Sequence, residues 1–423
     1  MQNNIGENVQ KLRWLVLVMM GFVIFGLYYA YDSVVPISDA IINDMGITKA
    51  QYGLLFSYYS LPNLVMVLLG GILLDRIGIR KAGAIFAAIG IAGVLITAAS
   101  SAFWLMLFGR LLYGIGAESL CITEIKVLSK WFRGKELAFA FGLNITLVRL
   151  GNFASLNLSA PIHTWSGSWR VALWVAFFII FASMIVFLIY SRLDKKKEPL
   201  FKMDEKREET DKFVFRDMFK FNPSYWYVTF LCVTFYSAVL PFVAFSNVFL
   251  KEKYGFSEAQ GGFYASLIFV ATITITPLFG ILVDKIGRRA TIMMVGSIVI
   301  VPVYLALGFT SFHPALPIIG IGIAFSLVPS ALWSSIPILV EQKRLGTAFG
   351  LIALVQNVGL TVFPWLAGKL TDLSGGEYTN TMILFALLGF VGLVFSLLLK
   401  FSEKKKGTGI ELPTKMAQAQ REI

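Results

Sequence analysis

Gly71-Ile-Leu-Leu-Asp75-Arg76-Ile-Gly78 returns 209 residues later as Gly280-Ile-Leu-Val-Asp284-Lys285-Ile-Gly287-Arg288-Arg289. Two more pairs keep nearly the same offset. Phe141-Gly142-Leu143 matches Phe349-Gly350-Leu351 at 208, and Tyr31 with Pro36 matches Tyr236 with Pro241 at 205. A period close to half the chain marks an internal duplication. Each copy of the first motif follows the second apolar stretch of its half. Glycine there allows close helix approach, a tight turn follows, and the aspartate can accept hydrogen bonds from a neighbouring helix N-terminus.

The surrounding composition fixes the class. Of 423 residues, 57% are hydrophobic and the mean hydropathy is +0.73, too apolar for a water-soluble domain. Twelve stretches are long enough to cross a bilayer core of about 30 Å, the first at 14–35, the second at 52–75 and the last at 378–400. The expected fold is all-α integral membrane, with twelve transmembrane helices in two six-helix bundles related by an axis along the membrane normal. The bundles should occupy 1–191 and 223–401. A mixed-charge cytoplasmic linker over 192–222 reads as solvated, in part helical and lying on the membrane face. The tail 402–423 is polar and reads as disordered.

Charge placement gives the topology. The formal net charge is +12, and about 30 of the 37 Lys and Arg lie on the side shared by the termini. Lys49, Arg170, Lys251, Lys253 and Lys369 lie on the other side, and Arg110 and Arg149 lie inside spans. This is the positive-inside pattern, so both termini should be cytoplasmic and nucleic acid is not the partner. The first span is too long for a signal-peptide core. Cys121 and Cys232 both fall within spans, so no structural disulfide is expected. His163 and His313 are isolated. No metal-ligand cluster, nucleophile elbow or phosphate-cradling loop occurs, so neither enzyme activity nor a cofactor is expected.

Glu118 and Arg149 stand alone in apolar spans. A charge at that depth costs roughly 2.5–3.5 kcal/mol or more and marks a functional site. Arg149 lies about 20 Å along its helix from Glu136, and Glu118 about 22 Å from Phe103, which puts both near the midplane. The duplication sharpens the case. Arg149 falls opposite Asn357, Asp32 opposite Ser237, and Glu118 near Ser326, so none has a charged counterpart. The second half offers neutral polar groups, including Tyr236, Asn247, Tyr264, Trp333, Ser334, Ser335, Gln356 and Asn357. One negative and one positive site suit a zwitterion; a structural Glu118–Arg149 salt bridge is the alternative. Asp32, beside Tyr28 and Tyr31, is either a cavity residue or a rim carboxylate. Glu124, close to Lys126, reads as interfacial.

The doubled Gly-x3-Asp-[Arg/Lys]-x-Gly motif resembles the signature loop of the major facilitator superfamily. In that family the loop clasps the two halves in one state of alternating access. The resemblance assigns gating or structural roles to Gly71, Asp75, Arg76, Gly280, Asp284 and Arg288. The first copy has Ile79 where the family usually has a basic residue. Arg110-Leu-Leu-Tyr-Gly114 resembles the family's helix 4 motif, which makes Arg110 structural or gating.

Within the superfamily, the chain is similar to the lysosomal dipeptide uniporter branch. The shared stretches are Tyr31-Asp32-Ser33, Tyr58-Tyr59-Ser60-Leu61-Pro62-Asn63, Gly114-Ile115-Gly116-Ala117-Glu118-Ser119-Leu120, Trp131 to Leu137, Arg149-Leu150-Gly151, Ala331-Leu332-Trp333, Leu345 to Gly350 and Gln356-Asn357. The resemblance implies a facilitator of dipeptides, with Glu118 at the amino end and Arg149 at the carboxylate end. Arginine's planar fork suits a carboxylate independently. Tyr28, Tyr31, Tyr59, Tyr236, Trp333, Gln356 and Asn357 are candidates for the rest of the substrate site, with Asp32. Short loops and the lack of glycosylation acceptors or a dileucine sorting signal look like a prokaryotic plasma-membrane relative. The expected partners are a small dipeptide-like substrate and the lipid bilayer, the protein being a monomer or weak homodimer. The alternatives are an organic-anion carrier, which Glu118 opposes, and a non-transporting sensor or scaffold.

Overall fold

The computed structural model describes residues 2–132, 136–201, 220–414 and 416–417. The linker residues 202–219 lie outside the described residues. The fourteen α-helices of the described residues are α1 (Gln2–Asp32), α2 (Ser38–Met45), α3 (Lys49–Ser60), α4 (Asn63–Ile77), α5 (Ile79–Ala99), α6 (Phe103–Trp131), α7 (Leu137–Ser166), α8 (Trp169–Phe201), α9 (Pro223–Tyr254), α10 (Glu258–Ile286), α11 (Arg289–Phe309), α12 (Ala315–Leu339), α13 (Leu345–Leu373) and α14 (Thr379–Lys406). With α3 and α4 taken as one broken span, twelve segments are long and apolar enough to cross a membrane. The protein is an all-helical, multi-pass membrane protein.

Helix signals repeat with the motif. Thr48 and Gln51 form a capping box at the start of α3, and Ser257 and Gln260 form one at the start of α10. Each pair satisfies two of the backbone N–H groups that a helix start leaves open. The first box, like the motif, returns after 209 residues. The second span breaks at Leu61-Pro62, where a proline cannot continue the hydrogen-bond ladder.

The chain divides into two compact units, 1–34 with 65–210, and 35–64 with 211–423. In the first, α5 lies along α6, and α1 lies along α7 and α8. Gly151 makes the α1–α7 approach possible: a Cβ there would sit 2.5 Å from the carbonyl oxygen of Phe25. In the second, α3 lies along α13, α11 along α14, and α10 along α12, with α9 packed on α13 and α14. Residues 35–64 thus pack with the second half of the sequence. Asp372 at the end of α13 accepts from the backbone N–H groups of Lys49 (3.0 Å) and Ala50 (2.8 Å), and Lys49 Nζ reaches Glu252 Oε2 at 2.6 Å.

Two sequence expectations change. The start of the linker is helical, since α8 continues to Phe201, but it is not solvated throughout, because Asp194 is buried. That carboxylate accepts from Lys130 Nζ at 2.8 Å, Trp131 Nε1 at 3.1 Å, Tyr190 Oη at 3.3 Å and Arg80 Nη1 at 3.4 Å. Four donors offset its desolvation.

Residues 415 and 418–423 of the tail lie outside the described residues, but the described part does not leave the fold at Lys400 either. It turns at Gly407 and lies against the α10–α11 loop. Buried Arg289 donates to the carbonyls of Leu412 (2.8 Å) and Ile410 (3.3 Å) and to Thr414 Oγ1 (2.6 Å). Glu411 accepts from Thr291 N (3.0 Å) and Thr291 Oγ1 (2.9 Å), capping the start of α11. Gly287 has φ +68°, and a Cβ on it would meet Leu412 at 2.3 Å, so the tail needs glycine there twice over. Polarity alone suggested disorder; the buried guanidinium and the helix start supply the partners that order it.

Candidate functional site

The first unit gathers its intramembrane charges on α1, α6 and α7. Buried Arg110 of α6 donates to the carbonyls of Tyr31 (3.1 Å) and Ala30 (3.5 Å), and its guanidinium stands 5.5 Å from the Tyr31 ring centre. It therefore caps the C-terminal end of α1, where backbone carbonyls lack helical partners and favour a cation. Tyr113, one turn on, donates to the carbonyl of Leu27. Together they fix α1 against α6.

Asp32, the last residue of α1, is 2% exposed and accepts from Asn152 Nδ2 at 2.7 Å. It is not a rim carboxylate. Arg110 and Arg149 both lie within electrostatic range of it. Asn152 is three residues beyond Arg149, so one face of α7 carries both groups toward α1.

Glu118 of α6 and Arg149 of α7 are both half-buried. The hydroxyl of half-buried Tyr28 lies within electrostatic range of Glu118, Arg149, Tyr113 and Cys121. Tyr31 is likewise in range of Glu118, Asp32 and Arg110. The structure thus brings together Tyr28, Tyr31, Asp32, Glu118 and Arg149 within one unit. It adds Tyr113, Cys121 and Asn152, which sequence reading passed over; Asn152 was findable as a second polar residue one turn from Arg149. A cation, an anion and phenolic hydroxyls in a half-buried group can hold a ligand with both charges.

Glu124 is not an exposed residue. It is 1% exposed and accepts from Asn144 Nδ2 of α7 at 3.1 Å.

The second unit holds the remaining candidates. Trp333 Nε1 donates to Tyr236 Oη at 3.1 Å, and the Tyr236 ring packs edge-on against Phe325 at 5.7 Å. Gln356 Oε1 receives Cys232 Sγ at 3.7 Å, and Asn357 Nδ2 turns to the carbonyl of Ala353 at 2.9 Å. Tyr59 is buried in α3.

In the motif loops, Asp75 pairs with Lys126, and Asp284 accepts from Thr414 Oγ1 at 2.8 Å. Arg76 is exposed. Arg288 adopts φ +50° as the cap of α11 and donates its N–H to Glu411 O at 3.0 Å. Neither Gly71 nor Gly280 meets a close neighbour: no heavy atom lies within 4 Å of a Cβ built on either. The close-approach argument for these glycines does not hold in this conformation.

Comparison with known proteins places the chain. The Major Facilitator Superfamily profile matches residues 18–356 and 231–420. The lysosomal dipeptide transporter MFSD1 of Danio rerio is 32% identical over 97% of this chain and 92% of its own length. The Homo sapiens lysosomal dipeptide transporter MFSD1 is 32% identical over 86% of this chain and 81% of its own length. Among solved structures, a bacterial homolog of the human lysosomal transporter Spinster, inward-facing and unoccupied, covers 95% of this chain and 98% of its own at a TM-score of 0.75 and 16% identity. The nucleoside transporter NupG gives a TM-score of 0.73 at 13% identity over 91% of this chain and 99% of its own. At those identities the two structures speak for the fold alone. Twelve apolar spans, a duplicated loop motif and a whole-length relationship lead to one conclusion: the chain is a secondary transporter that belongs to the Major Facilitator Superfamily.

Proposed function

We propose that this transporter carries dipeptides or similar small zwitterions by alternating access, with Glu118 receiving the substrate ammonium and Arg149 its carboxylate. The observation that supports the reading is that Glu118 and Arg149 both lie within electrostatic range of Tyr28, and Arg149 within range of Asp32. The 32% identity to lysosomal dipeptide transporters supports the substrate class. Carboxylate binding by a planar guanidinium and ammonium binding by a carboxylate are both charge-assisted and strong in a half-buried site. An extended dipeptide separates its charged ends by about 6–7 Å. Tyr28, Tyr31 and Asp32 complete the charged group, and Tyr59, Tyr236, Trp333, Gln356 and Asn357 are assigned to side-chain recognition. Arg110 and the motif loops, with Gly71, Asp75, Arg76, Gly280, Asp284 and Arg288, serve the scaffold and the conformational cycle.

We assign the protein to the plasma membrane with both termini in the cytoplasm, a reading that the positive-inside bias of its loops supports. We assign it as a monomer or weak homodimer without a catalytic role. The test is a thermal-shift screen of purified protein against dipeptides, free amino acids and simple carboxylates, since stabilisation follows ligand concentration over affinity. Dipeptides should raise the melting temperature, and Arg149→Ala should abolish the rise. Stabilisation by carboxylates alone, retained in Glu118→Ala, would instead identify an anion carrier.

A further inference from the structure

Arg80 and Arg289 fall 209 residues apart, the period of the loop motif, and so do Asp194 and Glu403. Their places match as well. The arginines stand in the first turn of α5 and of α11, and the carboxylates near the ends of α8 and α14. α5 packs along α8 in the first unit, and α11 along α14 in the second. In the first unit the two residues meet, with Arg80 Nη1 on Asp194 Oδ2 at 3.4 Å. In the second, among the described residues, Arg289 and Glu403 share no hydrogen bond or ion pair. Each holds the stretch 408–414 of the tail instead.

The chemistry of the two ends is complementary. Glu403 accepts from the backbone N–H groups of Thr408 (2.9 Å) and Gly409 (2.9 Å), and from the Thr408 hydroxyl. Buried Arg289 donates to the carbonyls of Ile410 and Leu412, to Thr414 Oγ1 and, through Nε, to Ser334 Oγ at 3.2 Å. Every one of those acceptors is neutral. The same stretch engages the α10–α11 loop, because Thr414 Oγ1 donates to Asp284 and Glu411 O accepts from the Arg288 N–H. The sequence explains why Glu403 turns to the tail. The other donors of Asp194 are Lys130, Trp131 and Tyr190, and at the same offset stand Leu339, Val340 and Leu399. Lifting the stretch would strand a buried guanidinium and a carboxylate at once, and a buried charge left without its partners is strongly unfavourable. Each is the other's missing partner.

We propose that residues 408–414 are a displaceable strap inserted into a duplicated ion pair, and that its release lets Arg289 close on Glu403 as Arg80 closes on Asp194. The end of the second unit then has two arrangements of the same side chains. In one, the strap satisfies both charges and holds Asp284 and Arg288 of the α10–α11 loop. In the other, the charges satisfy each other and the loop is released. Exchange of one set of charge-assisted bonds for another makes such an end bistable, so anything that binds or repels the strap shifts the balance. The switch does not depend on which substrate is carried.

Two measurements test this. In the full-length protein, Thr408→Glu sets a carboxylate against Glu403 where a hydroxyl now donates, and like charges repel. Hydrogen exchange in the first turn of α11 should rise, while Thr408→Ser, which keeps the donor, should leave it at the wild-type level. Unchanged exchange in Thr408→Glu would overturn the displaceable strap. The second measurement finds the new partner of Arg289. In protein truncated after Lys406, Glu403→Gln and Arg289→Gln should each lower the melting temperature, and the double variant should melt no lower than the worse single one, because the two residues act as one pair. Without re-pairing, Glu403 has no role once the tail is gone. A truncated protein whose melting temperature ignores Glu403→Gln would therefore overturn the switch, as would a drop on Asp284→Asn in its place.

Discussion

Asn152 Nδ2 lies 2.7 Å from Asp32 Oδ2, tying α7 to the last residue of α1. The bond is buried, and Asn152 is three residues from Arg149 on the same helix. Asn152→Ala should cost about 1–3 kcal/mol, since it leaves a buried acceptor without its donor. It should also weaken substrate binding by allowing Arg149 to drift, while Arg149→Ala removes binding with less effect on stability. Melting temperature and substrate-induced shift, measured on both variants, separate the two roles.

Asp194 holds the end of α8 against α5 and α6. It is buried at 2% exposure and receives Lys130, Arg80, Trp131 and Tyr190. Removing one partner of a buried pair leaves the other charges uncompensated, at about 3–5 kcal/mol. Asp194→Ala should therefore lower the melting temperature sharply, more than Lys130→Ala, because lysine is only one of four donors. Equal melting temperatures for wild type and Asp194→Ala would contradict this.

Truncation after Lys406 removes every partner that the tail gives Arg289 and Thr291. Charge-assisted hydrogen bonds contribute about 1.5–3 kcal/mol each, so the truncated protein should be clearly less stable. Hydrogen exchange should rise in the first turn of α11, and Gly287→Ala should reproduce much of the effect through its contact with Leu412. A truncation with unchanged exchange there would show that the tail is passive.

Asp372 caps α3 through the N–H groups of Lys49 and Ala50. Helix caps of this kind contribute about 0.5–2 kcal/mol. Asp372→Ala should free the start of α3 from α13, seen as faster exchange at Lys49 to Tyr52, whereas Asp372→Asn should retain part of the protection.

Much of this molecule was legible in the chain. The doubled loop motif, the run of apolar spans and the isolated charges on α6 and α7 each follow from a local rule: period, length, desolvation cost. What was not legible depends on partners distant in sequence. Asp194 looked solvated because its neighbours in sequence are charged, yet Lys130 and Arg80 reach it from other helices. Glu124 looked interfacial beside Lys126, yet Lys126 pairs with Asp75 and Glu124 turns to Asn144. The tail looked disordered because nothing in its composition announces a docking site; that site is the buried Arg289. The repeated capping boxes were legible in principle, since Thr48/Gln51 and Ser257/Gln260 share the motif's period.

The central claim is that Glu118 and Arg149 read the two charged ends of one substrate. The most direct test measures thermal stabilisation by a dipeptide, its N-acetylated form and its C-terminal amide against wild type, Glu118→Gln and Arg149→Gln. Wild type should favour the unmodified dipeptide. Glu118→Gln should no longer distinguish it from the N-acetylated form, and Arg149→Gln should no longer distinguish it from the amide. Equal discrimination of all three ligands by wild type and both variants would contradict the account.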